Sequence, residues 1–229
     1  MSVKVFYDIM SQPARAVILF CRANKKFIPF TPNPIALRKF EQQTEEYAQI
    51  NPMKKVPAIV DGNFKLTESV AILKYLCDKY NVPDHWYPKD LERRAKVDEY
   101  MGWQHINTRM NCAKVFVYEV LLPKATGSEM DPGKLSTAIG EMEETLTNLE
   151  NIFLKDKPYL CGNDISIADL LGVCEVEQVS GTGRDISVAH PRLGAWVQRV
   201  RQQLNPDFDE IHSLVYKLRD RNRPKYAKL

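Results

Sequence analysis

The sequence predicts two unlike parts, an α/β part over residues 1–80 and an all-helical part over residues 91–229, joined by a connection at 81–90. Three observations carry this expectation. Up to Tyr80, β-branched and aromatic runs alternate with helical patterns. The connection holds Pro83 and Pro88 and shows no helical period, as a domain boundary does. After Leu91 the apolar residues recur at three or four.

Residues 3–7, VKVFY, are β-branched and aromatic and favour a first strand. Residues 8–12 form a turn, and Pro13 suits a first helical turn, where its missing N–H is not needed. That helix is expected to run to about Asn24 with Val17, Phe20 and Cys21 on its inner face. Residues 27–31 then return as a second strand. Strand, helix and strand in about 28 residues make a βαβ unit, which implies parallel pairing and a right-handed crossover. Residues 33–49 carry Leu37, Phe40 and Tyr47 in no clean period and read as loop and short helix.

Residues 51–76 organise the first part. Ala58-Ile59-Val60 is fit for a buried strand, Asp61-Gly62-Asn63 is turn chemistry, and Phe64-Lys65-Leu66 alternates as a returning strand. From Thr67, Val70, Leu73 and Leu76 recur every three residues, with Thr67 placed to cap the helix. The order is βαβ-α-ββα.

In the second part, residues 91–122 suit one bent helix or two. Leu135, Ile139, Met142, Leu146, Leu149 and Phe153 trace an amphipathic helix. Ser166 and Asp169 read as a capping box, with Ile165 and Leu170 as its hydrophobic staple. A buried helix and its exit follow over 172–183, and another helix over 192–204 is built around Trp196 and Val200. The tail from Asp207 starts amphipathic, ends basic through Lys228, and reads as a solvated terminus. Trp86 and Tyr87 are expected to pin the connection to the surface.

Composition bounds the function. The 229 residues are 44% hydrophobic and 27% charged, enough for a full core in a soluble chain. A net charge of +3 is too small to imply nucleic acid. The first eight residues have no basic-then-apolar leader pattern. No apolar run approaches the roughly 20 residues of a membrane span. Cys21, Cys77, Cys112, Cys161 and Cys174 are scattered, odd in number and never C-x-x-C, which argues against a disulfide framework or a metal site and for a reducing, cytoplasmic setting. Cys21 and Cys77 lie in apolar helical patterns and read as buried thiols.

Two features exceed ordinary folding needs. Pro57 stands directly before a strand although it cannot donate to a ladder. A cis Val56-Pro57 bond is one solution, and it leaves the Val56 N–H and C=O free for an extended ligand. Glu68-Ser69 opens a helix, where backbone donors and the dipole can hold a carboxylate and Glu68 an ammonium. The pair therefore suits a zwitterionic amino-acid head group, or else it only caps the helix.

Lys55-Val56-Pro57-Ala58 followed by Glu68-Ser69 resembles the glutathione-binding half of cytosolic glutathione S-transferases. Ser11-Gln12-Pro13-x-Arg15-Ala16 resembles the theta class, in which a serine replaces the tyrosine of other classes. The similarity runs from Val5 to about Trp196. It implies a thioredoxin-like first domain, an all-helical second domain that walls an electrophile pocket, a homodimer, and a role in detoxification. Glutathione enters as co-substrate, with no cofactor and no metal. Its γ-glutamyl end is expected at Glu68 and Ser69 and its cysteinyl backbone at Val56 and Pro57. Gln12 belongs to the same binding set through its place in the theta-like motif. The glycine carboxylate falls to Lys55, to Gln42 at the position where the family commonly has a histidine, or to Lys54 as a second candidate. Ser11 is expected to donate to the sulfur, with Arg109 as a second thiolate stabiliser. The alternatives are an N-cap role for Ser11 and a surface ion pair for Arg109. Met110, Phe116 and Tyr118 are candidates for the wall of an apolar pocket. Theta-class proteins carry a longer C-terminal segment over the active site, and this chain stops sooner by that standard. The rivals are a relative using glutathione for peroxide reduction, dehalogenation or isomerisation, and a catalytically silent carrier of apolar ligands.

Overall fold

The computed structural model describes residues 2–225. Four strands form one mixed sheet in the order β2-β1-β3-β4, namely β1 (Val3–Tyr7), β2 (Phe30–Pro34), β3 (Ala58–Asp61) and β4 (Phe64–Thr67). β1 and β2 are parallel, with Val3 opposite Phe30. β3 runs antiparallel to β1, with Ile59 opposite Val5, and β4 antiparallel to β3. The helix α1 (Gln12–Ala23) crosses between the parallel strands, α2 (Glu45–Ala48) is a single turn, and α3 (Ser69–Tyr80) follows the hairpin. This is the expected βαβ-α-ββα order.

The second strand starts three residues later than expected. The Asn24 amide folds back to donate to Phe20 O (3.0 Å), and the Phe27 and Ile28 N–H groups donate to Asn24 O, so 24–29 are spent on a tight turn. The strand then carries Pro32 and Pro34, which an edge position tolerates because one side needs no ladder donors. Thr67 also departs from expectation. It ends β4 instead of capping α3, and Glu68 takes the cap position with φ 65° and no side-chain cap bond.

The helical part contains α4 (Leu91–Gln104), α5 (Ala113–Phe116), α6 (Leu122–Thr126), α7 (Pro132–Asn148), α8 (Ile167–Ser180), α9 (Pro191–Leu204) and α10 (Asp207–Asn222). The stretch read as one bent helix or two breaks at 105–107. It then continues through π-helical turns at Thr108–Cys112 and Val117–Leu121. The connection is pinned as anticipated. Trp86 is buried with its ring edge-on to Phe20 at 5.4 Å, and the Tyr87 hydroxyl donates to Asp98. Among the described residues no helix is long and apolar enough to cross a membrane.

Val17, Phe20 and Cys21 of α1 are buried as expected, and so are six further residues of the helix, because α8 covers the side that the sheet and α3 leave open. One finding corrects the sequence reading. The tail is not a solvated terminus as far as Asn222. Phe208, Ile211 and Val215 of α10 are buried against α1 and α8. Residues 226–229, with Lys228, lie outside the described residues.

α8 is the axis of the second part. Asp169 accepts the Ser166 N–H (2.9 Å) and the Ser166 hydroxyl (3.0 Å), and the capping box is complete. The same carboxylate accepts from Leu160 N–H and Trp196 Nε1, both at 2.9 Å, which ties α8 to α9 and to the loop before it. Gly172 lets α4 approach. A Cβ there would lie 2.7 Å from the Tyr100 hydroxyl and 2.9 Å from Leu160.

Candidate functional site between the sheet and the helical part

A cleft of ≈ 180 Å³ separates the two parts. Its first wall is Pro13, Asn51, Lys55, Val56, Pro57, Thr67, Glu68 and Ser69, and its second is Gln104, His105, Arg109, Leu171 and Glu175. Five expected residues of the first wall, Lys55, Val56, Pro57, Glu68 and Ser69, therefore converge with one of the second, Arg109, which lies at least 40 positions further along the chain.

The first wall is built from backbone. The Val56-Pro57 bond is cis, and Val56 lies outside the β3 ladder, which begins at Ala58. The loop before it is held from beneath. Asn51, buried, donates through Nδ2 to Lys55 O (2.7 Å) and accepts Met53 N–H (2.9 Å), while the Tyr47 hydroxyl donates to the same Lys55 oxygen (2.8 Å). Burial pushes the Tyr47 phenol up to about 12, so it stays a donor at neutral pH. Glu68 adopts a positive φ that a non-glycine residue rarely takes, and backbone of this kind gathers at ligand clamps. With the α3 N-terminus beginning at Ser69, orphan N–H groups and the positive end of the helix dipole face this wall.

Ser11 occupies the N-cap position of α1 in extended backbone (φ −85°, ψ 117°), yet its hydroxyl makes no cap bond. The turn that presents it is fixed by Asp8, which accepts Met10 N–H (2.7 Å) and Leu37 N–H (2.9 Å). Ser11 itself does not line the cleft, although Pro13, two residues on, does. Gln12 is buried as the first residue of α1, outside the lining.

Arg15, to which the sequence assigns no role of its own, lies outside the cleft lining and is fully buried. Its Nη1 donates to Ile9 O (2.8 Å), and its Nη2 donates to Cys174 O (2.8 Å) and to Gln178 Oε1 (2.7 Å). One guanidinium thus clamps the turn before Ser11 to the middle of α8. Burial lowers its pKa, with Glu175 and Glu177 opposing that shift from nearby.

On the second wall Arg109 does not form the surface pair weighed from sequence. Its Nη1 donates at 2.9 Å to Oε1 of Glu175, whose side chain is only 1% exposed, while Arg109 keeps 38% exposure at the cleft. Glu175 Oε2 and Gln104 Oε1 are buried without a partner. Desolvation pushes the Glu175 carboxyl up to about 7, with Arg109 and Arg15 pulling the other way. The signal for this residue in the sequence is an acidic side chain directly after the apolar run Leu170-Leu171-Gly172-Val173-Cys174.

Several expected residues lie elsewhere. Gln42 sits on a short 3₁₀ turn (Glu41–Gln43) outside the lining, with Oε1 buried and unpartnered. Lys54 is engaged by Glu45 (2.8 Å) and by Gln43 O (3.0 Å). Met110, Phe116 and Tyr118 do not converge into an apolar wall. Phe116 is core, under Gly181, Tyr118 packs against the core, and Met110 is half exposed. The π-helical turns are the reason, since each shifts the register away from the 3.6-residue period assumed from sequence.

All five cysteines are free, and burial pushes the Cys21 thiol up to about 12. None belongs to the cleft lining.

Comparisons with known proteins agree with this geometry. Residues 2–78 match the family model "Glutathione S-transferase, N-terminal domain", and residues 116–203 match "Glutathione S-transferase, C-terminal domain". The chain is 43% identical over 221 residues to glutathione S-transferase theta-1 of Mus musculus, covering 96% of this chain and 91% of that relative. Human glutathione-S-transferase T1-1 in its apo form superposes with a TM-score of 0.91 at 42% identity, covering 96% of this chain and 91% of the other. Human glutathione transferase theta-2, solved in complex with glutathione and an unknown ligand, gives 0.90 at 37% identity over 98% of this chain and 91% of the other. With both domain models matched and more than two fifths of the residues shared along nearly its whole length, the chain belongs to the glutathione S-transferases, in their theta class, and is a transferase of that fold.

Proposed function

We propose that this transferase seats glutathione in the cleft and joins its sulfur to small apolar electrophiles, in a detoxifying role, as a homodimer in the cytoplasm. The observation that carries the reading is the first wall, where Val56 beside a cis proline and Glu68-Ser69 at a helix N-terminus face one cleft. The cysteinyl backbone of the tripeptide pairs with Val56 as an added strand edge. Its γ-glutamyl carboxylate rests on the α3 N-terminus and Ser69, and its ammonium on Glu68. Lys55, exposed at the rim, takes the glycine carboxylate.

The reaction needs the thiol as thiolate. Ser11, with its hydroxyl not used as a cap, donates to the sulfur at the mouth of α1, and Arg109 supplies a positive charge from the other wall. A free thiol near pKa 8.5 is roughly 3% ionised at pH 7, and a shift of about 2 units makes it roughly 75% ionised. The shifted thiolate is less nucleophilic by roughly eightfold, so ionisation alone gains about threefold in rate. The rest comes from holding the electrophile beside the sulfur.

Glutathione binding followed by thiolate absorbance tests this reading. The Ser11→Ala variant is expected to keep glutathione affinity within a few-fold while thiolate absorbance and turnover fall about tenfold or more. Unchanged turnover would leave Ser11 as an N-cap only.

A further inference from the structure

Arg109 cannot serve a thiolate while acting only as the partner of Glu175. It has one hydrogen bond among the described residues, from Nη1 to Glu175, so the rest of its donor fork is uncommitted at the cleft. Glu175 is the opposite case. It is buried, held through one oxygen, and its Oε2 has no partner. Two cations influence it, Arg109 and, from α1, Arg15. Arg15 in turn is spent on the Ile9 and Cys174 carbonyls and on Gln178. The other titratable groups that feel its charge are Tyr100 of α4, Cys112 of the π-helical turn and Cys174 of its own helix, and burial holds all three protonated. His105, Lys55 and Glu68 line the same cleft.

Where Glu175 is ionised, its charge and that of Arg109 cancel within their ion pair. A thiolate arriving beside Arg109 adds an unmatched negative charge in a poorly solvated place, and Glu175 is the buried group able to remove it by protonation. We propose that Glu175 is a positioning residue that holds Arg109 in the cleft wall and takes up one proton as the glutathione sulfur loses one, so that Arg109 exchanges a carboxylate partner for a thiolate. The balance is simple. The S–H bond breaks, an O–H bond forms on Glu175, its ion pair passes to sulfur, and the net charge of the site stays constant. This inference rests on the reading that Arg109 faces the thiolate.

The test counts two quantities on the whole protein at pH 7. Thiolate formed on adding glutathione is read by ultraviolet absorbance, and protons released are read by an indicator dye in lightly buffered solution. S-methylglutathione, which has no thiol, supplies the proton change due to binding alone. Because the Glu175 carboxyl is pushed up to about 7, about half the molecules start with it ionised. The wild type is therefore expected to release up to about half a proton fewer than the thiolate it forms, and Glu175→Gln to release as many as it forms. Equal counts in the wild type, which need no variant to fold, would overturn the proposal. Arg109→Ala separates the two layers. If it lowers thiolate absorbance while the wild-type counts agree, only the role of Glu175 falls. If it leaves absorbance unchanged, the reading of Arg109 falls and takes this inference with it.

Discussion

Two buried carboxylates lie on one helix, six residues apart, and they are treated in opposite ways. Asp169, at the start of α8, receives four donors, the Ser166 N–H and hydroxyl, the Leu160 N–H and the Trp196 indole. Glu175, in the middle of the helix, receives one guanidinium and leaves an oxygen bare beside the cleft. Burial raises the carboxyl pKa at both, opposed at Asp169 by hydrogen bonds from the Leu160 N–H, the Trp196 indole and Ser166, and at Glu175 by the charges of Arg109 and Arg15. A carboxylate with every lone pair engaged is structural, because any change of state breaks several bonds at once. One with a vacancy and an exchangeable partner can change state at small cost.

Replacing each acid in turn sharpens or breaks this contrast. Asp169→Ala is expected to have the largest effect, a loss of about 3–5 kcal/mol, because it strands buried donors on three segments. Urea unfolding measures it, and a loss under 1 kcal/mol would show that those donors are solvated after all.

Glu175→Gln should differ in kind, because its effect depends on pH. The folded-state pKa of Glu175 is raised from 4.5 to about 7, so the folded chain keeps a proton that the unfolded chain has released. The stability this group contributes is thus full below about pH 4.5 and is lost as pH rises towards about 7. Glutamine does not titrate. The variant should therefore gain on the wild type by roughly 2–4 kcal/mol between pH 4.5 and pH 8, seen in unfolding curves at several pH values. A pH-independent difference would place Glu175 with Asp169 as a purely structural acid.

The smallest effect is expected at Ser166→Ala, about 1 kcal/mol, since Asp169 keeps its other donors when the cap hydroxyl goes. Thermal unfolding reads this directly.

What was legible in the sequence was local. The capping box at Ser166 and Asp169 spans four residues, and the hairpin turn Asp61-Gly62-Asn63 needs only the φ tolerance of Gly and Asn. Val56, Pro57, Glu68 and Ser69 were readable as one wall of a cleft because backbone chemistry at a cis proline and a helix start travels with the sequence that makes it. Phe116 and Tyr118 were misplaced because their direction depends on π-helical register, which no spacing rule carries.

The chain by itself determined the two-part plan, the strand and helix order and the first wall of the cleft, because periodicity, turn residues and caps act over a few neighbours. Tertiary structure alone decided that Arg15 clamps Gln178 from 163 residues away and that Arg109 meets Glu175 across 66. The strength and direction of those charges depend on who is buried beside whom, and desolvation is a property of the packed molecule rather than of any stretch of its sequence.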